Sequence, residues 1–580
     1  MSVDKRTPVK KSTPVDKNTS IENLITDHID IWTSAIKQKS ATGRGSNKKI
    51  ELYGIKKLRE LILELAVRGK LVPQDPNDEP ASVLLERIAE EKAQLLSSQG
   101  KDGKIKKSKK LPEITEDEKP FELPEGWEWS LLGNVYELEY GNNLPQAKRS
   151  NSGEYPVYGS NGIVGTHNEY CVGQPCIIIG RKGSAGALNL ESGQGCWVTD
   201  VAYSVIPSTS LLLRFVFIQL HTLGLDFLGK GIKPGLNRND AYQLCLAFPP
   251  RAEQHRIVAK VDELMALCDE LEAQTESSLD AHQTLVTVLL NTLVNSQDAD
   301  ELAENWTRLS DHFDTLFTTE HSIDQLKQTV LQLAVMGKLV PQDPNDEPAS
   351  VLLERIAAEK EQLIKDKKIK KQKPLPPITD DEKPFQLPKG WEWVRFGSVV
   401  ICRLGKMLDK AKNTGTLLPY LRNTNVQWGR FILDDIKLMK LEESELQEFR
   451  ILPGDLLICE GGEPGRCAIW TEAELEMYFQ KALHRARPLA GIQSKYLQLS
   501  LTVDAKTGVL DNYFTGATIK HFVGTKLNNY IHSLPPLEEQ HRIVAKVGEL
   551  MALCDQLKTR LNDAQTTQRQ LADALTEQAL

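Results

Sequence analysis

No CxxC pair occurs among the nine cysteines, and the closest two, Cys171 and Cys176, have no histidine at zinc-like spacing. That excludes the common zinc ribbons and thioredoxin-type redox motifs, and leaves reduced thiols in a cytoplasm as the expectation. Long apolar runs are missing too. None approaches the ~20 residues needed to span a bilayer, and the polar opening MSVDKRTPVKKSTPVDKNTS is not expected to act as a secretion signal or anchor. There is no excess of positive charge. A formal charge of −8 argues against a chain that holds nucleic acid by bulk charge alone, so such binding must come from local patches or from a partner. Catalytic signatures are also absent: no GxxxxGK[ST] loop, no GxGxxG fingerprint, and no [ND]PP[YFW] tetrapeptide of the kind that suits an amino-methylating site.

What the chain does have is itself, twice. The segment KLVPQDPNDEPASVLLERIA at 70–89 returns letter for letter at 338–357, and across Glu64–Leu96 against Gln332–Ile364, 28 of 33 positions match. KPFELPEGWEW (119–129) returns as KPFQLPKGWEW (383–393). PPRAEQHRIVAKVDELMALCDEL (249–271) returns as PPLEEQHRIVAKVGELMALCDQL (535–557), with 19 of 23 positions identical. A weaker echo pairs TDHID (26–30) with SDHFD (310–314). Between the GWEW and PP segments the second copy gains 22 residues, so almost all divergence lies in two inserts, 130–247 and 394–533. A generic frame therefore carries two unlike inserts, and whatever differs between the halves is done by the inserts.

The frame reads as helix. After Pro249-Pro250 the apolar positions Ile257, Val261, Leu264, Cys268 and Leu271 alternate spacings of four and three, a heptad seam. The second copy runs Ile543, Val547, Leu550, Cys554, Leu557, Leu561, Ala564 and Leu571. A helix from Ala252 to Val294 reaches roughly 60 Å at 1.5 Å per residue. The order A, insert, B, A, insert, B places B directly before A in the middle of the chain. Packing of the C-terminal helix (537–580) with the N-terminal segment (21–69) recreates that arrangement and predicts a pseudo-twofold frame. The lysine runs 101–110 and 365–373 read as solvated linkers or as phosphate contacts at two equivalent places. The DxK strings at Asp117–Lys119 and Asp381–Lys383 lack the apolar strand of a nuclease metal site. The DHxD echo reads as a polar helix face, and His255 and His541 as capping or packing residues rather than chemistry.

Both inserts mix short strands, glycine turns and a helix. The strand PCIIIG (175–180) enters GRKGSAG, and GDLLIC (454–459) enters EGGEPGR; setting Gly183 on Gly462 also sets Gly186 on Gly465. YPVYGSNG (155–162) matches LPYLRNTN (418–425), and GKGIK (229–233) matches GATIK (516–520). The inserts are predicted to be distant copies of one α/β domain. Their loops hold the side chains that read bases: Arg matches guanine O6 and N7, Asn and Gln match adenine N6 and N7, and Glu accepts from cytosine N4. The candidates are Ser160, Asn161, Arg181, Lys182, Ser184 and Lys233 in the first insert. In the second they are Arg422, Asn423, Asn425, Glu460, Glu463, Arg466, Gln480, Lys481, Arg485 and Lys520. No catalytic or metal-ligating set is expected.

With LPEGWEW and LPKGWEW opening each insert, GATIKH near an insert end, PPLEEQHRIVAKV opening the long helix, and GKLVPQDPNDEPA, the chain resembles the specificity subunit of Type I restriction-modification enzymes, most like the IB group. The resemblance covers essentially everything from Ile21 onward. It implies an α+β fold, with two α/β target-recognition domains separated by long antiparallel coiled-coil helices, pseudo-twofold, the N- and C-terminal helices packing together. The expected parts are a polar tail (1–20), an N-terminal helical repeat (21–96), a Lys-rich linker (97–120), target-recognition domain 1 (121–250) and a central helical region (251–364). A second Lys-rich linker (365–384), target-recognition domain 2 (385–536) and a C-terminal coiled-coil helix (537–580) follow. The resemblance further implies a non-catalytic subunit that binds double-stranded DNA at a bipartite, asymmetric target and docks two methyltransferase subunits and, in the full complex, two restriction subunits. S-adenosylmethionine, ATP and magnesium are then expected on those partners, with no cofactor in this chain, no membrane, and a cytoplasmic location. Two rival readings are a coiled-coil scaffold whose inserts bind proteins or peptides, and an autonomous modification or nuclease enzyme.

Overall fold

The computed structural model describes residues 20–38, 50–99, 111–150, 152–229, 235–409 and 413–580. The first lysine run (101–110) and Lys233 lie outside them. The chain forms two compact units. One takes the described residues up to Ser278 together with Asp563–Leu580; the other is Leu279–Asn562. Among the described residues no helix is long and apolar enough to cross a membrane.

The long helices form where the heptads place them, α4 at Arg251–Asn295 and α8 at Leu537–Ala579. Each unit holds the first part of one and the last part of the other, the antiparallel arrangement that the A-insert-B order predicts. In the first unit α1 (Tyr53–Val67) and α2 (Ala81–Gln99) make up the A repeat, and α3 (Leu213–His221) belongs to the insert. In the second unit their counterparts are α5 (Glu320–Val335), α6 (Ala349–Lys365) and α7 (Ser494–Thr507). The expected packing of the two chain ends is present: Tyr53 Oη donates to Asp573 Oδ1 at 2.7 Å, and Lys70 Nζ donates to the Leu580 carbonyl. In the second unit the duplicated lysine, Lys338, donates in the same way to the Val294 carbonyl at 2.8 Å.

The seam departs from the heptad expectation in one place. Ile257, Val261, Leu264, Cys268 and Leu271 are all buried, as are Ile543, Val547 and Cys554. Ala564, however, is exposed, and the inward positions run Leu557, Leu561, Gln565, Gln568, Ala572 and Leu575, two steps of four before the 3-4 alternation resumes. α4 does the same at Leu271, Thr275, Leu279, His282 and Val286. A four-residue stutter lets the apolar stripe catch up with the 3.6-residue turn, so the helix meets its second set of neighbours without overwinding. It falls where each helix passes from one unit into the other.

The frame contacts are duplicated residue by residue. Glu253 accepts from Trp127 Nε1 at 2.9 Å and Gln74 Nε2 at 3.1 Å; Glu539 accepts from Trp391 and Gln342 at the same two distances. Arg256 pairs with Asp78 and Arg542 with Asp346; Arg59 pairs with Asp269 and Lys327 with Asp555. Burial pushes both Glu253 and Glu539 carboxyls above the usual range, opposed by the bonds they accept. The acidic ends of the linkers are capping boxes: Thr115 N donates to Glu118 at 2.9 Å and Thr379 N to Glu382 at 3.0 Å. The DHxD echo is not a continuous helix face. His28 and His312 each sit where one short helix stops and the next begins, with matching backbone angles (φ −126°, ψ 24° and φ −115°, ψ 18°).

The two inserts share one topology, to which the second adds a short hairpin, Val426–Gln427 with Arg430–Phe431. In the first, the strands are β1 (Glu128–Leu131), β2 (Glu139–Tyr140), β3 (Tyr155–Gly159), β4 (Gly162–His167), β5 (Cys176–Gly180), β6 (Leu188–Glu191), β7 (Trp197–Val198), β8 (Ala202–Val205) and β9 (Cys245–Phe248). They form sheets β2-β8-β5-β6, β4-β3-β7 and the pair β1-β9. In the second, β10 (Glu392–Arg395), β11 (Val400–Leu404), β12 (Thr416–Leu421), β13 (Lys437–Leu441), β14 (Leu456–Cys459), β15 (Cys467–Ile469), β16 (Tyr478–Phe479), β17 (Leu483–Pro488) and β18 (Ile531–Leu534) repeat it. The orders are β11-β17-β14-β15, β13-β12-β16 and β10-β18, with β3-β7 and β12-β16 both parallel. The opening GWEW strand of each insert thus pairs with the strand leaving it, so entry and exit lie side by side on the frame.

Candidate DNA interface

In both inserts a fully buried strand, β5 or β14, runs out of the core into a seven-residue loop, 181–187 or 460–466. Backbone geometry confirms that these loops correspond. Gly183 and Gly462 have φ of +88° and +83°, and Gly186 and Gly465 have φ of +78° and +88°. A Cβ on Gly186 would lie 2.3 Å from the Asp226 nitrogen, and one on Gly465 2.8 Å from Leu510. Only glycine meets both demands, left-handed backbone and close approach.

In the first insert the loop gathers most of its predicted candidates. Ser160 and Asn161 make the turn between β3 and β4, and the Ser160 hydroxyl lies beside Gly183, next to Lys182 and Ser184. Asn161 and Lys182 are exposed; Ser160 and Ser184 are half-buried. Arg181 is more committed. Its Nη1 donates to the Asp200 carbonyl at 2.9 Å, and its guanidinium lies 4.6 Å from the Tyr140 ring centre and 5.8 Å from that of Tyr203. Arg238 approaches the same Tyr140 ring at 5.0 Å. Two guanidiniums thus share one half-exposed tyrosine, a stack in which ring quadrupole and cation attract. Neither Arg238 nor Tyr140 stood out in the sequence, because each sits in an unremarkable turn or strand end.

In the second insert the loops after β12, β14 and β16 come together. Asn423 Nδ2 donates to the Gly461 carbonyl at 3.4 Å, and Arg466 Nη2 donates to the Asn423 carbonyl at 2.8 Å. Glu460 N donates to the Ala482 carbonyl, and Gln480 N to that of Leu421. Ala482 holds φ of +101°, a costly conformation for a residue with a Cβ. The preceding Lys481 is exposed, its backbone nitrogen donating to the Lys406 carbonyl at 2.7 Å. Arg422 Nη2 donates to Asp435 Oδ2 at 2.7 Å, and Lys437 with Arg422 holds the Asp435 carboxyl below the ordinary carboxylate range. Glu463, exposed, accepts from Trp428 Nε1 at 2.6 Å and Arg466 Nη1 at 2.9 Å. Lys520 pairs with Asp511 at 3.1 Å and shares with Glu463 the wall of a pocket of about 520 Å³.

Two candidates have internal duties instead. Asn425 is buried: its Oδ1 accepts from Arg422 N at 2.9 Å and its Nδ2 donates to the Ile432 carbonyl at 3.0 Å, which shapes the turn. Arg485 lies inside β17, donating to the Glu448 and Arg450 carbonyls at 3.0 and 2.7 Å, and burial pushes its guanidinium down to about 10. Their sequence signal was residue type alone, which does not separate a loop that faces outward from a strand that faces in. Trp428 is the converse case, an aromatic in NVQWGR whose position on the pocket wall only tertiary structure reveals. Among the described residues no group of three His, Cys, Asp or Glu is placed to hold a metal ion.

Residues 124–281 and 388–564 match the family described as Type I restriction modification DNA specificity domain, covering more than half of the chain and both inserts with the starts of both long helices. The chain is 43% identical to the Type I restriction enzyme EcoAI specificity subunit of Escherichia coli, over 97% of its own length and 100% of that protein. It is 42% identical to the EcoEI specificity subunit of the same organism, again over 97% and 100%. The crystal structure of the HsdS subunit from Thermoanaerobacter tengcongensis is similar over 80% of this chain and 98% of that one, at 18% identity and a TM-score of 0.38. With duplicated frame, paired inserts and full-length similarity in agreement, the chain belongs to the specificity subunits of Type I restriction-modification systems.

Proposed function

We propose that this subunit reads a bipartite, asymmetric DNA sequence, one half with each insert, and docks two methyltransferase subunits on its duplicated frame, with two restriction subunits joining in the full complex. One observation carries the reading: the inserts keep the same order in the three sheets they share, and equivalent reading loops, while the loop side chains differ, Arg181-Lys182 in one and Glu460-Gly461 in the other. Equal scaffolds with unequal donors and acceptors are what two unlike half-sites require. The frame supports the docking half of the proposal. The 70–89 and 338–357 segments are identical even at exposed positions such as Pro73, Asp75 and Asn77, where no core packing demands it. Identical surfaces offer identical sites to two copies of one partner.

The chemistry then belongs to the partners, with S-adenosylmethionine, ATP and magnesium bound there, and this cytoplasmic chain contributes recognition and spacing. The base-reading set is Ser160, Asn161, Lys182, Ser184 and Lys233 in the first insert. In the second it is Asn423, Glu460, Glu463, Gln480, Lys481 and Lys520, with Arg181, Arg422 and Arg466 anchored beside them. Selection from randomised duplexes by the chain assembled with its methyltransferase subunits tests the reading. Two short motifs separated by unread bases are expected; a single continuous motif, or none, refutes it.

A further inference from the structure

The pocket beside the second reading loop is lined by Trp428, Gly462, Glu463, Phe514, Ile519 and Lys520, among others. Two of its walls are aromatic and Ile519 stands 66% exposed at its edge, while Lys506, Asp511 and Lys520 bring charge to the rest, so the space is mixed in character. Of its two carboxylates Asp511 is paired with Lys520, while Glu463 is restrained at both oxygens. Glu463 Oε1 accepts from the Trp428 indole at 2.6 Å, and Oε2 accepts from Arg466 at 2.9 Å. Arg466 is in turn fixed to the Asn423 carbonyl at 2.8 Å. Both oxygens are therefore held in place, each with one acceptor direction still unused, since an ionised carboxylate offers about four.

We propose that Trp428 and Arg466 hold Glu463 as an acceptor-only reader of an exocyclic amino group, which makes one position of the half-site read by the second insert selective for cytosine or adenine. The inference rests on the reading of the inserts as DNA-recognising. In the major groove cytosine N4 and adenine N6 present donors to such a group, whereas guanine O6 and thymine O4 present acceptors that repel it. Pre-set side chains also lose little rotamer freedom when the base arrives. Trp428 acts here as a positioning residue: it touches the reader, and its effect on the base passes through Glu463.

Duplex selection with Glu463→Gln, Trp428→Phe and the unsubstituted chain, each assembled with the methyltransferase subunits, tests this. The unsubstituted chain should restrict one position of the second half-site to cytosine or adenine. Glu463→Gln, which replaces one acceptor by a donor, should relax that position by about tenfold in favour of guanine or thymine. Trp428→Phe should relax the same position to a smaller degree, and neither should alter the first half-site. A merely structural role for the pair would weaken binding at all positions alike and overturn the proposal, as would a Glu463→Gln motif identical to the original. Should Trp428→Phe fail to fold, the near-isosteric Glu463→Gln still decides. A failure of the DNA-reading proposal itself would show separately, as the loss of any bipartite motif with the unsubstituted chain.

Discussion

Replacing Glu539 with glutamine disturbs one joint of the frame in a way whose size can be worked from the structure. Both carboxylate oxygens of Glu539 are acceptors, one for the Trp391 indole at 2.9 Å and one for the Gln342 amide at 3.1 Å, and the side chain is 1% exposed. Glutamine fills the same space but turns one oxygen into an NH2 that must face one of those two donors. Gln342 cannot rotate its amide to help, because the same nitrogen also donates to the Gly337 carbonyl at 2.7 Å. One buried donor is stranded, at a cost of about 1–3 kcal/mol. Alanine strands two, so Glu539→Ala should cost about twice as much, and in a Trp391→Phe background the alanine penalty should fall by about the value of one donor. The first unit repeats the geometry at Glu253, Trp127 and Gln74, so Glu253→Gln should cost the same, and the two substitutions should add, having no partner in common. The assay is urea denaturation followed by tryptophan fluorescence, with each transition treated separately because a chain of two units need not unfold in one step. Midpoints unchanged by Glu539→Gln, or a cost several times larger at one joint than at the other, would refute the reasoning.

Arg238, stacked on half-exposed Tyr140 beside the first reading loop, is placed to meet a backbone phosphate, so Arg238→Ala should lower the slope of log binding constant against log salt by about 1 and leave the selected sequence unchanged. Adding one heptad to both long helices, after Ser278 and after Ala564, lengthens each by about 10 Å, so the gap between selected half-sites should grow by up to about three base pairs; an unchanged gap would end the idea that the helices set the spacing. Burial holds the Asp504 carboxyl up at about 6, against an ordinary 3.8, with Tyr530 donating to it. The folded state then binds the extra proton, so this group's contribution to stability is fully present below about pH 4 and is lost as pH rises through 6, by up to about 3 kcal/mol. Asp504→Asn should flatten that part of a thermal-midpoint profile, and a profile unaltered by the substitution would contradict it.

The frame was legible in the sequence because duplication and heptad spacing are one-dimensional signals. The long helix α4, the seam through Cys268 and the return of the chain end onto the N-terminal segment all follow from repeat order and apolar period. The inserts were legible only in outline. Matching Gly183 to Gly462 identified equivalent loops, since left-handed glycines leave a mark in sequence. Nothing in the sequence separated Glu463, held by Trp428, from Arg485, buried in a strand, because residue type alone does not say which way a charged side chain faces.

Two copies of a helical frame and two unlike inserts can be read straight from the residues, because identity and period are properties of the chain alone. Tertiary structure decided the rest: which charged side chains face outward, which are spent on internal carbonyls, and where the seam shifts by a stutter at Thr275 and Leu561. The physical reason is that exposure and hydrogen-bond partnership belong to pairs of residues distant in sequence. Arg422 and Asp435, Trp428 and Glu463, and Tyr53 and Asp573 acquire their roles only when folding brings them within 3 Å of each other.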